Sequence, residues 1–162
     1  MNPAPATTDL TDAWPQLCRV CPVQFRQFGG VRKFCGEIRT VQCAGDNALV
    51  RGELTTPGAG RVLVVDGGGT LTRALLGDQL AALAVRNRWA GIVIFGAVRD
   101  SAALAGVPLG IKALGTCPVR SEKLGTGLAG GDVMIGGVRF RSGQWLCSDD
   151  DGLVVADTPL SV

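Results

Sequence analysis

The sequence predicts an α/β domain built around parallel strands, and three features of residues 61–100 carry this prediction. Residues 62–65 form a short, wholly apolar run that is rich in β-branched side chains, typical of a strand buried on both faces. Between Asp78 and Arg88 the apolar residues recur at helical spacing. Residues 92–95 form a second buried run. This order describes a β-loop-α-β unit, which places ligands beyond the carboxyl ends of its parallel strands.

The residues before this unit predict two short helices and one strand. Residues 8–14 carry early carboxylates and precede Pro15, so they favour a helix, and residues 1–7 are expected to be flexible. Residues 38–43 alternate as a half-buried strand does. Asp46 and Asn47 favour the start of a helix that runs to Gly52. Phe25 and Phe28 are interpreted as core residues carried by a loop.

The residues after Asp100 predict one further short helix and several short strands. Residues 101–104 favour the helix, residues 121–131 a glycine-rich loop, and Val119 an extension of a neighbouring strand. The predicted strands are residues 111–114, 133–135, 138–140, 145–147 and 153–155, with Gly136-Gly137 as a hairpin turn. We therefore expect residues 1–162 to form a single domain with a parallel layer and a mostly antiparallel layer.

Composition narrows the classes of protein that fit. A chain of 162 residues with 46% hydrophobic content suits one domain with a sizeable core. The formal net charge is +2 and the basic residues are dispersed, which argues against direct nucleic-acid binding. No apolar run approaches the length of a transmembrane helix, and no secretory signal is visible at the start. A cytoplasmic protein is expected.

The chain contains no histidine and no tyrosine. Catalysis by Ser-His-Asp or Cys-His groups is therefore excluded, as are imidazole metal ligands. Six cysteines are present, including Cys18 and Cys21 at a C-x-x-C spacing that could be a redox pair or half of a zinc site. Since a cytoplasmic chain keeps its thiols reduced, we expect unpaired, mostly buried thiols.

Two glycine- or aspartate-rich turns invite functional interpretations. Gly67-Gly68-Gly69 lacks the Gly-Lys-Ser/Thr of a phosphate loop, and Thr72 stands where a dinucleotide fingerprint needs a third glycine. Asp66 is interpreted as a turn former before these glycines. Residues 149–151 are three aspartates that could bind a metal, but Gly152 after them favours an acidic turn.

A stronger candidate site lies at the carboxyl end of the β-loop-α-β unit. The amides of residues 77–80 open the predicted helix, and a helix N-terminus attracts anions. Arg99 and Asp100 leave the second strand at the same end, where we expect them to face the glycine-rich loop. The guanidinium could hold a carboxylate and the aspartate a hard cation such as Mg²⁺, although a self-satisfied surface pair fits the residues equally well.

Several stretches together resemble the regulator of ribonuclease activity A family, which includes the metal-dependent 4-hydroxy-4-methyl-2-oxoglutarate aldolases. They are FRQFGG at 25–30, DNALV at 46–50, the whole of 61–100, GIKALGT at 110–116 and SDDDG at 148–152. The resemblance implies a swivelling β/β/α domain like the phosphohistidine domain. It also implies a trimer or hexamer with sites between subunits.

The resemblance further implies roles for individual residues. Gly77, Asp78, Gln79 and Leu80 would bind the substrate carboxylate, Arg99 the keto oxygen and carboxylate region of a small 2-oxo acid, and Asp100 a divalent metal, Mg²⁺ or Mn²⁺. The implied reaction is retro-aldol cleavage of 4-hydroxy-4-methyl-2-oxoglutarate to pyruvate, with decarboxylation of oxaloacetate through the same pyruvate enolate. The alternative implied by the family is a non-catalytic regulator that binds and inhibits ribonuclease E.

The chain also departs from the pattern of the aldolases that it resembles. Ala103 stands where many of them carry an acidic residue, and the longer aldolases have a C-terminal extension that supplies an acid to the neighbouring subunit, whereas this chain stops at Val162. The proton donor is therefore unplaced, with Asp78 a candidate by proximity. Lys112 is a low-ranked Schiff-base alternative.

Overall fold

The computed structural model describes residues 3–162. The four helices in this range are α1 Thr7–Ala13, α2 Ala48–Thr55, α3 Asp78–Arg86 and α4 Ser101–Leu104. The strands are β1 Arg19–Val20, β2 Arg26–Gln27, β3 Phe34–Gln42, β4 Val62–Asp66, β5 Ala74–Leu76, β6 Gly91–Val98, β7 Gly110–Thr116, β8 Leu128–Ala129, β9 Val133–Ile135, β10 Val138–Phe140, β11 Trp145–Ser148 and β12 Leu153–Ala156. Among these helices none is long and apolar enough to cross a membrane.

One mixed sheet organises the chain. Its parallel half has the spatial order β3-β4-β6-β7, with Val64 opposite Thr40 on one side and Val93 on the other. Strand β3 also pairs with β11 in the antiparallel direction, and β12 and β1 follow beyond β11. The two predicted layers are therefore continuous through β3. The fold is a single α/β domain with a mixed sheet, and β9 and β10 form the separate predicted hairpin.

The parallel strands separate two hydrophobic clusters, because successive side chains of a strand point to opposite faces. Leu63 and Val65 of β4 pack in the cluster that includes Val50 of α2 and Leu80 of α3. Val62 and Val64 pack on the other face, in the cluster that includes residues of the β9–β10 hairpin. Burial on both faces explains why β4 has no polar residue before Asp66.

The structure refines several predicted boundaries. Strand β6 continues to Val98, three residues beyond the predicted end, while α3 ends at Arg86 and Arg88 adopts a φ of +60°. Val119 does not extend a strand; its carbonyl accepts a hydrogen bond from the Ala74 N–H at 2.7 Å. Strand β5, to which Ala74 belongs, has only three residues and was not predicted.

The N-terminal segment is attached to the acidic turn at 149–151. Thr7 begins α1, and its N–H and hydroxyl each donate to the Asp149 carboxylate at 2.7 Å. Asp149 also accepts from the Asp151 N–H, as a turn-forming aspartate does. The expected flexibility of residues 1–7 stays a prediction for residues 3–6, while Met1 and Asn2 lie outside the described residues.

The prediction that all six cysteines are reduced is wrong for one pair. Strands β3 and β11 place Cys35 directly opposite Cys147, and the two form a disulfide with a Cα–Cα distance of 4.1 Å. The partners are 112 residues apart in the sequence, so their pairing depends on sheet register and is invisible in cysteine spacing. Cys18, Cys21, Cys43 and Cys117 carry free thiols.

Candidate functional site

A cavity of about 240 Å³ lies where β5 and β6 end and α3 begins. The six residues predicted to form the site all line it: Gly77, Asp78, Gln79, Leu80, Arg99 and Asp100. The sequence prediction is therefore consistent with the geometry in bringing the helix N-terminus and the Arg-Asp pair to one place. The prediction that the pair faces the glycine-rich loop is wrong, because residues 67–69 do not line this cavity.

The backbone of the glycine-rich loop instead makes hydrogen bonds within the fold. The N–H groups of Gly67 and Gly69 both donate to the carbonyl of Phe95, at 3.0 and 3.1 Å. The Asp66 carboxylate accepts from the Gly68 N–H at 2.9 Å, in agreement with its interpretation as a turn former. The loop thus turns back along β6 and stops before the cavity.

Strand β5 is the element that joins the two halves of the site. It runs parallel to the end of β6, and the Arg99 N–H donates to the Leu76 carbonyl at 2.9 Å. Gly77 follows Leu76 at once and is the N-cap residue of α3. The amides that open α3 therefore lie directly beside the side chains that leave β6.

Gly77 is required by the close approach of these elements. A Cβ atom at this position would lie 2.7 Å from Asp100 Oδ2 and 3.3 Å from Arg99 Cγ. Without that atom, the carboxylate reaches the mouth of α3 and accepts from the Asp78 N–H at 3.3 Å. Because Gly77 has no side chain, Arg99 and Asp100 can lie against the N-terminus of α3.

Asp100 itself has an unusual backbone conformation. Its φ of +57° and ψ of +39° lie in the left-handed region, which costs free energy for a residue other than glycine and is often found at functional sites. Aspartate tolerates this region better than most residues. The conformation turns the chain from β6 into α4.

The contact between Arg99 and Asp100 is weak enough to be exchanged for a ligand. Arg99 Nε lies 3.9 Å from Asp100 Oδ2, and both side chains are 41% exposed. Solvent-screened pairs of this kind contribute little stability. Within residues 3–162 the Arg99 guanidinium makes no hydrogen bond, so its donors remain available, and the surface-pair interpretation explains the geometry less well than a binding site does.

The donor set at Asp100 suits one kind of cation. No group of three His, Cys, Asp or Glu side chains that could enclose a metal occurs in residues 3–162. Asp100 lines the cavity, and its Oδ1 accepts no hydrogen bond within the same range. Mg²⁺ typically keeps several waters and binds through one or two carboxylates together with substrate oxygens. The residues present therefore fit a divalent metal held by one carboxylate, and they do not fit a closed protein cage.

Four residues that line the cavity were not predicted from the sequence. Asn47, Arg51, Arg120 and Lys123 also line it, so the lining carries four cationic side chains and two carboxylates. Arg51 belongs to α2, Lys123 lies in the stretch 121–131 that was predicted only as a polar, glycine-rich loop, and Arg120 immediately precedes that stretch. The one sequence signal for any of them concerned Arg51, because Asp46 and Asn47 predicted the helix that carries it.

Asp46 is the residue that holds this side together. Its carboxylate accepts from the Ala48 N–H at 2.9 Å and, across the loop, from the N–H groups of Leu124 and Thr126 at 2.9 and 3.1 Å and the Thr126 hydroxyl at 3.0 Å. These donors, the Ala48 amide first, lower the pKa of Asp46 to about 2. The prediction that Asp46 and Asn47 start a helix is correct, but α2 continues past Gly52 to Thr55, and Asn47, its N-cap residue, makes no side-chain cap.

Lys112 and Ala103 lie outside the cavity. The Lys112 ammonium is buried and donates to the Asp149 carbonyl at 2.7 Å, and burial lowers its pKa from the ordinary value. Ala103 is exposed on α4. Neither residue is placed to act on a ligand held by Arg99.

Comparison with known proteins gives concordant matches over nearly the whole chain. The family model Aldolase/RraA (RraA-like) matches residues 7–155. A protein of Azotobacter vinelandii and one of Xanthomonas campestris pv. campestris (strain 8004) are 47% and 51% identical over 156 residues, covering 96% of this chain and 96% and 93% of theirs. Both bear the name "Putative 4-hydroxy-4-methyl-2-oxoglutarate aldolase".

Two solved structures are similar in fold as well as in sequence. A Geobacillus kaustophilus structure described as an S-adenosylmethionine:2-dimethylmenaquinone methyltransferase is 45% identical, with a TM-score of 0.95 and coverage of 96% of this chain and 97% of that one. The RNA-processing inhibitor RraA from Thermus thermophilis is 44% identical, with a TM-score of 0.94 and coverage of 99% and 96%. The chain belongs to the RraA-like aldolase family.

Proposed function

We propose that the protein is a divalent-metal-dependent lyase that cleaves 4-hydroxy-4-methyl-2-oxoglutarate to pyruvate and also decarboxylates oxaloacetate. The observation that carries this proposal is the juxtaposition of Arg99, the open carboxylate of Asp100 and the N-terminus of α3 in one cavity. The aldolase names borne by relatives at about half identity support the same activity.

Each group has a task in binding the 2-oxo acid. The amides of residues 77–80 bind the carboxylate next to the keto group, because a helix N-terminus offers N–H donors and a favourable dipole. The Asp78 N–H, which donates to Asp100 Oδ2 at 3.3 Å, is shared between that carboxylate and the ligand. Arg99 donates to the keto oxygen. Asp100 would hold Mg²⁺ or Mn²⁺, and that cation would supply Lewis-acid stabilisation of developing negative charge.

The two reactions share one electron flow. In the retro-aldol reaction the C3–C4 bond breaks, the C4 hydroxyl loses its proton to become a carbonyl group, and the electron pair passes through C3 to the C2 oxygen. In oxaloacetate the same bond breaks with loss of CO2. Arg99 stabilises the enolate oxygen that develops in both cases, and protonation of C3 then gives pyruvate. Asp78, exposed at the cavity, is the candidate to accept the hydroxyl proton.

The methyltransferase description of the Geobacillus kaustophilus relative is less well supported by this cavity. S-adenosylmethionine carries a sulfonium cation, whereas the lining has two more cationic side chains than carboxylates. Like charges at close range repel strongly where water is partly excluded. A small polyanion suits the same lining.

A second candidate function is regulation of ribonuclease E by direct binding. The 44% identical relative described as an RNA-processing inhibitor favours it. In this proposal the protein acts as a trimer or hexamer through an outer surface, so Arg99→Ala would leave inhibition unchanged. Inhibition of ribonuclease E cleavage by purified protein, compared with the Arg99→Ala variant, tests it. We also assign the domain to the swivelling β/β/α class, which the parallel half-sheet covered by α2 and α3 supports.

The lyase proposal is tested by pyruvate release from both substrates with Mg²⁺ or Mn²⁺ and then with a chelator. Arg99→Ala and Asp100→Ala should each lower kcat/KM by about a hundredfold or more, the usual loss for a group that stabilises developing charge. Arg86→Ala, at an exposed arginine in the last turn of α3 outside the cavity, is the matched control. Activity that survives the chelator or both site variants would refute the proposal.

A further inference from the structure

Strand β5 leads directly into α3, and a side chain from a distant part of the sequence holds its first residue. The Ala74 carbonyl accepts from the Ser121 hydroxyl at 2.7 Å, and the Ala74 N–H donates to the Val119 carbonyl at 2.7 Å. Ala74 and Ser121 are both buried, with 3% and 5% of their surface exposed. Because a buried carbonyl without a donor is costly, the Ser121 hydroxyl fixes this end of β5.

The rest of β5 has few backbone bonds to hold it. The strand has three residues, and its pairing with β6 is irregular between Ala74 and Leu76. Gly77, the N-cap residue of α3, follows Leu76 at once. A shift of β5 would therefore be passed directly to the amides of residues 77–80.

Ser121 itself lies on a segment whose neighbours are fixed. The Arg73 guanidinium donates to the Arg120 carbonyl at 3.0 Å and lies 3.2 Å from the Glu122 carboxylate. The Glu122 N–H donates to the Gly45 carbonyl at 2.8 Å. The hydroxyl is thus presented to β5 from a rigid support, as a positioning group requires.

We infer that Ser121 is a positioning residue, which sets the place of β5 and through it the place of the amides that open α3. This inference rests on the proposed function, in which those amides bind the carboxylate next to the keto group. Ser121 also lines the cavity, so a direct contact with the substrate is the competing role that a test must separate from positioning.

Positioning of the amides predicts a particular kinetic signature. The carboxylate next to the keto group keeps its charge throughout the reaction, so the amides bind substrate and transition state alike, and their loss raises KM with little change in kcat. Arg99, which stabilises the enolate, follows β6, and β6 is paired with both β4 and β7. A shift of β5 should therefore displace the amides more than the guanidinium.

The test uses Ser121→Ala, with Ser121→Thr to restore the hydroxyl. Ser121→Ala should raise KM for oxaloacetate and the Kd for pyruvate, measured by calorimetry with Mg²⁺, by about tenfold each, and should keep kcat within about twofold. Hydrogen exchange of the Ala81 amide, whose bond to the Gly77 carbonyl closes the first turn of α3, should be about fivefold faster in the ligand-free variant. Ser121→Thr should return all three quantities towards their wild-type values.

Ser148→Ala is the matched control. The Ser148 hydroxyl also donates from a buried position to a backbone carbonyl, that of Gly152 at 3.1 Å, but it lies outside the cavity. This variant should lower the urea midpoint and leave KM, Kd and Ala81 exchange unchanged. Arg73→Gln, which removes an exposed ion pair and so cannot threaten folding, should raise KM by about threefold, and it keeps the inference testable if Ser121→Ala does not fold.

Four results would overturn the inference: an unchanged KM in folded Ser121→Ala or in Arg73→Gln, an equal rise in Ser148→Ala, a fall confined to kcat, or wild-type exchange of the Ala81 amide. The last would assign Ser121 a direct contact with the substrate instead. Failure of the wild type to bind pyruvate would also overturn it. The proposed function can fail separately: a protein that binds pyruvate with the predicted dependence on Ser121 but releases none from either substrate keeps the positioning role and loses the lyase reaction.

Discussion

Replacing Gly77 with alanine tests the geometry of the site at its closest point. The residue has a φ of −133° and a ψ of −170°, which alanine adopts without strain. The new Cβ, however, would lie 2.7 Å from Asp100 Oδ2, closer than real Cβ contacts, so the carboxylate must move away. The substitution therefore displaces the proposed metal ligand while leaving every charged group in the protein.

The expected losses differ greatly between stability and activity. Moving the carboxylate breaks its bond to the Asp78 N–H, which at 3.3 Å and 41% side-chain exposure is a weak contact, so unfolding free energy should fall by about 1 kcal/mol or less. A displacement of about 1 Å at a catalytic group costs about a hundredfold in rate. We expect kcat/KM for oxaloacetate to fall by about that factor, with a higher Mg²⁺ concentration needed for half-maximal activity.

The assay combines metal-dependent pyruvate release with urea unfolding of the same preparations. Gly52→Ala is the matched control, because Gly52 lies in α2 with nothing within 4 Å of the added Cβ. That variant should gain about 0.5–1 kcal/mol from helix propensity and keep wild-type activity. Wild-type activity and metal dependence in Gly77→Ala would refute the reasoning, as would a loss of stability large enough to unfold the domain.

Three further substitutions probe the surroundings of the site. Asp46→Asn should reduce the acid sensitivity of stability. A carboxyl whose pKa is lowered to about 2 stabilises the fold above its unfolded pKa and loses that contribution as pH falls from about 4 towards 2. In urea titrations over this window the variant should therefore lose less stability than the wild type, and what it still loses comes from other carboxyls with a lowered pKa, such as Asp149. Cys35→Ser should cost about 2–5 kcal/mol of unfolding free energy by removing the disulfide to Cys147, and dithiothreitol should then have no further effect. The count of reactive thiols in the unfolded, unreduced protein should rise from four to five; a fall from six to five would contradict the pairing. Lys112→Met should lower the unfolding free energy by about 1–3 kcal/mol, because the Asp149 carbonyl loses its buried donor, but it should keep the wild-type kcat. If borohydride traps pyruvate on the wild-type protein and not on this variant, the Schiff-base alternative would be revived.

The part of the site formed by residues 77–80 and by Arg99 and Asp100 could be predicted from local sequence patterns. The buried runs in β4 and β6 and the amphipathic α3 specify a parallel β-loop-α-β unit, and such a unit brings its loop ends together. Arg99 and Asp100 could therefore be placed near the N-terminus of α3 from the sequence alone. The glycine-rich loop was misplaced by the same reasoning, because the hydrogen bonds of its glycines to Phe95 are not encoded in the spacing of the residues.

The presence of Arg51 and Arg120 in the cavity could not be predicted in the same way. Arg120 is positioned by a bridge to Ala74, and Arg51 by the bonds that Asp46 makes across the loop. These contacts join segments that are 46 to 80 residues apart. No periodicity connects them, and a three-residue strand such as β5 is too short to be distinguished from a loop.

By itself the sequence determined the α/β class, the order of the principal helices and strands, and the chemistry available to a protein without histidine, because hydrophobic period and residue type act over a few neighbouring positions. Only the tertiary structure decided which charged groups share the cavity, which glycine must lack a Cβ, and which cysteines pair. These depend on strand order and register, which are set by packing of the whole core.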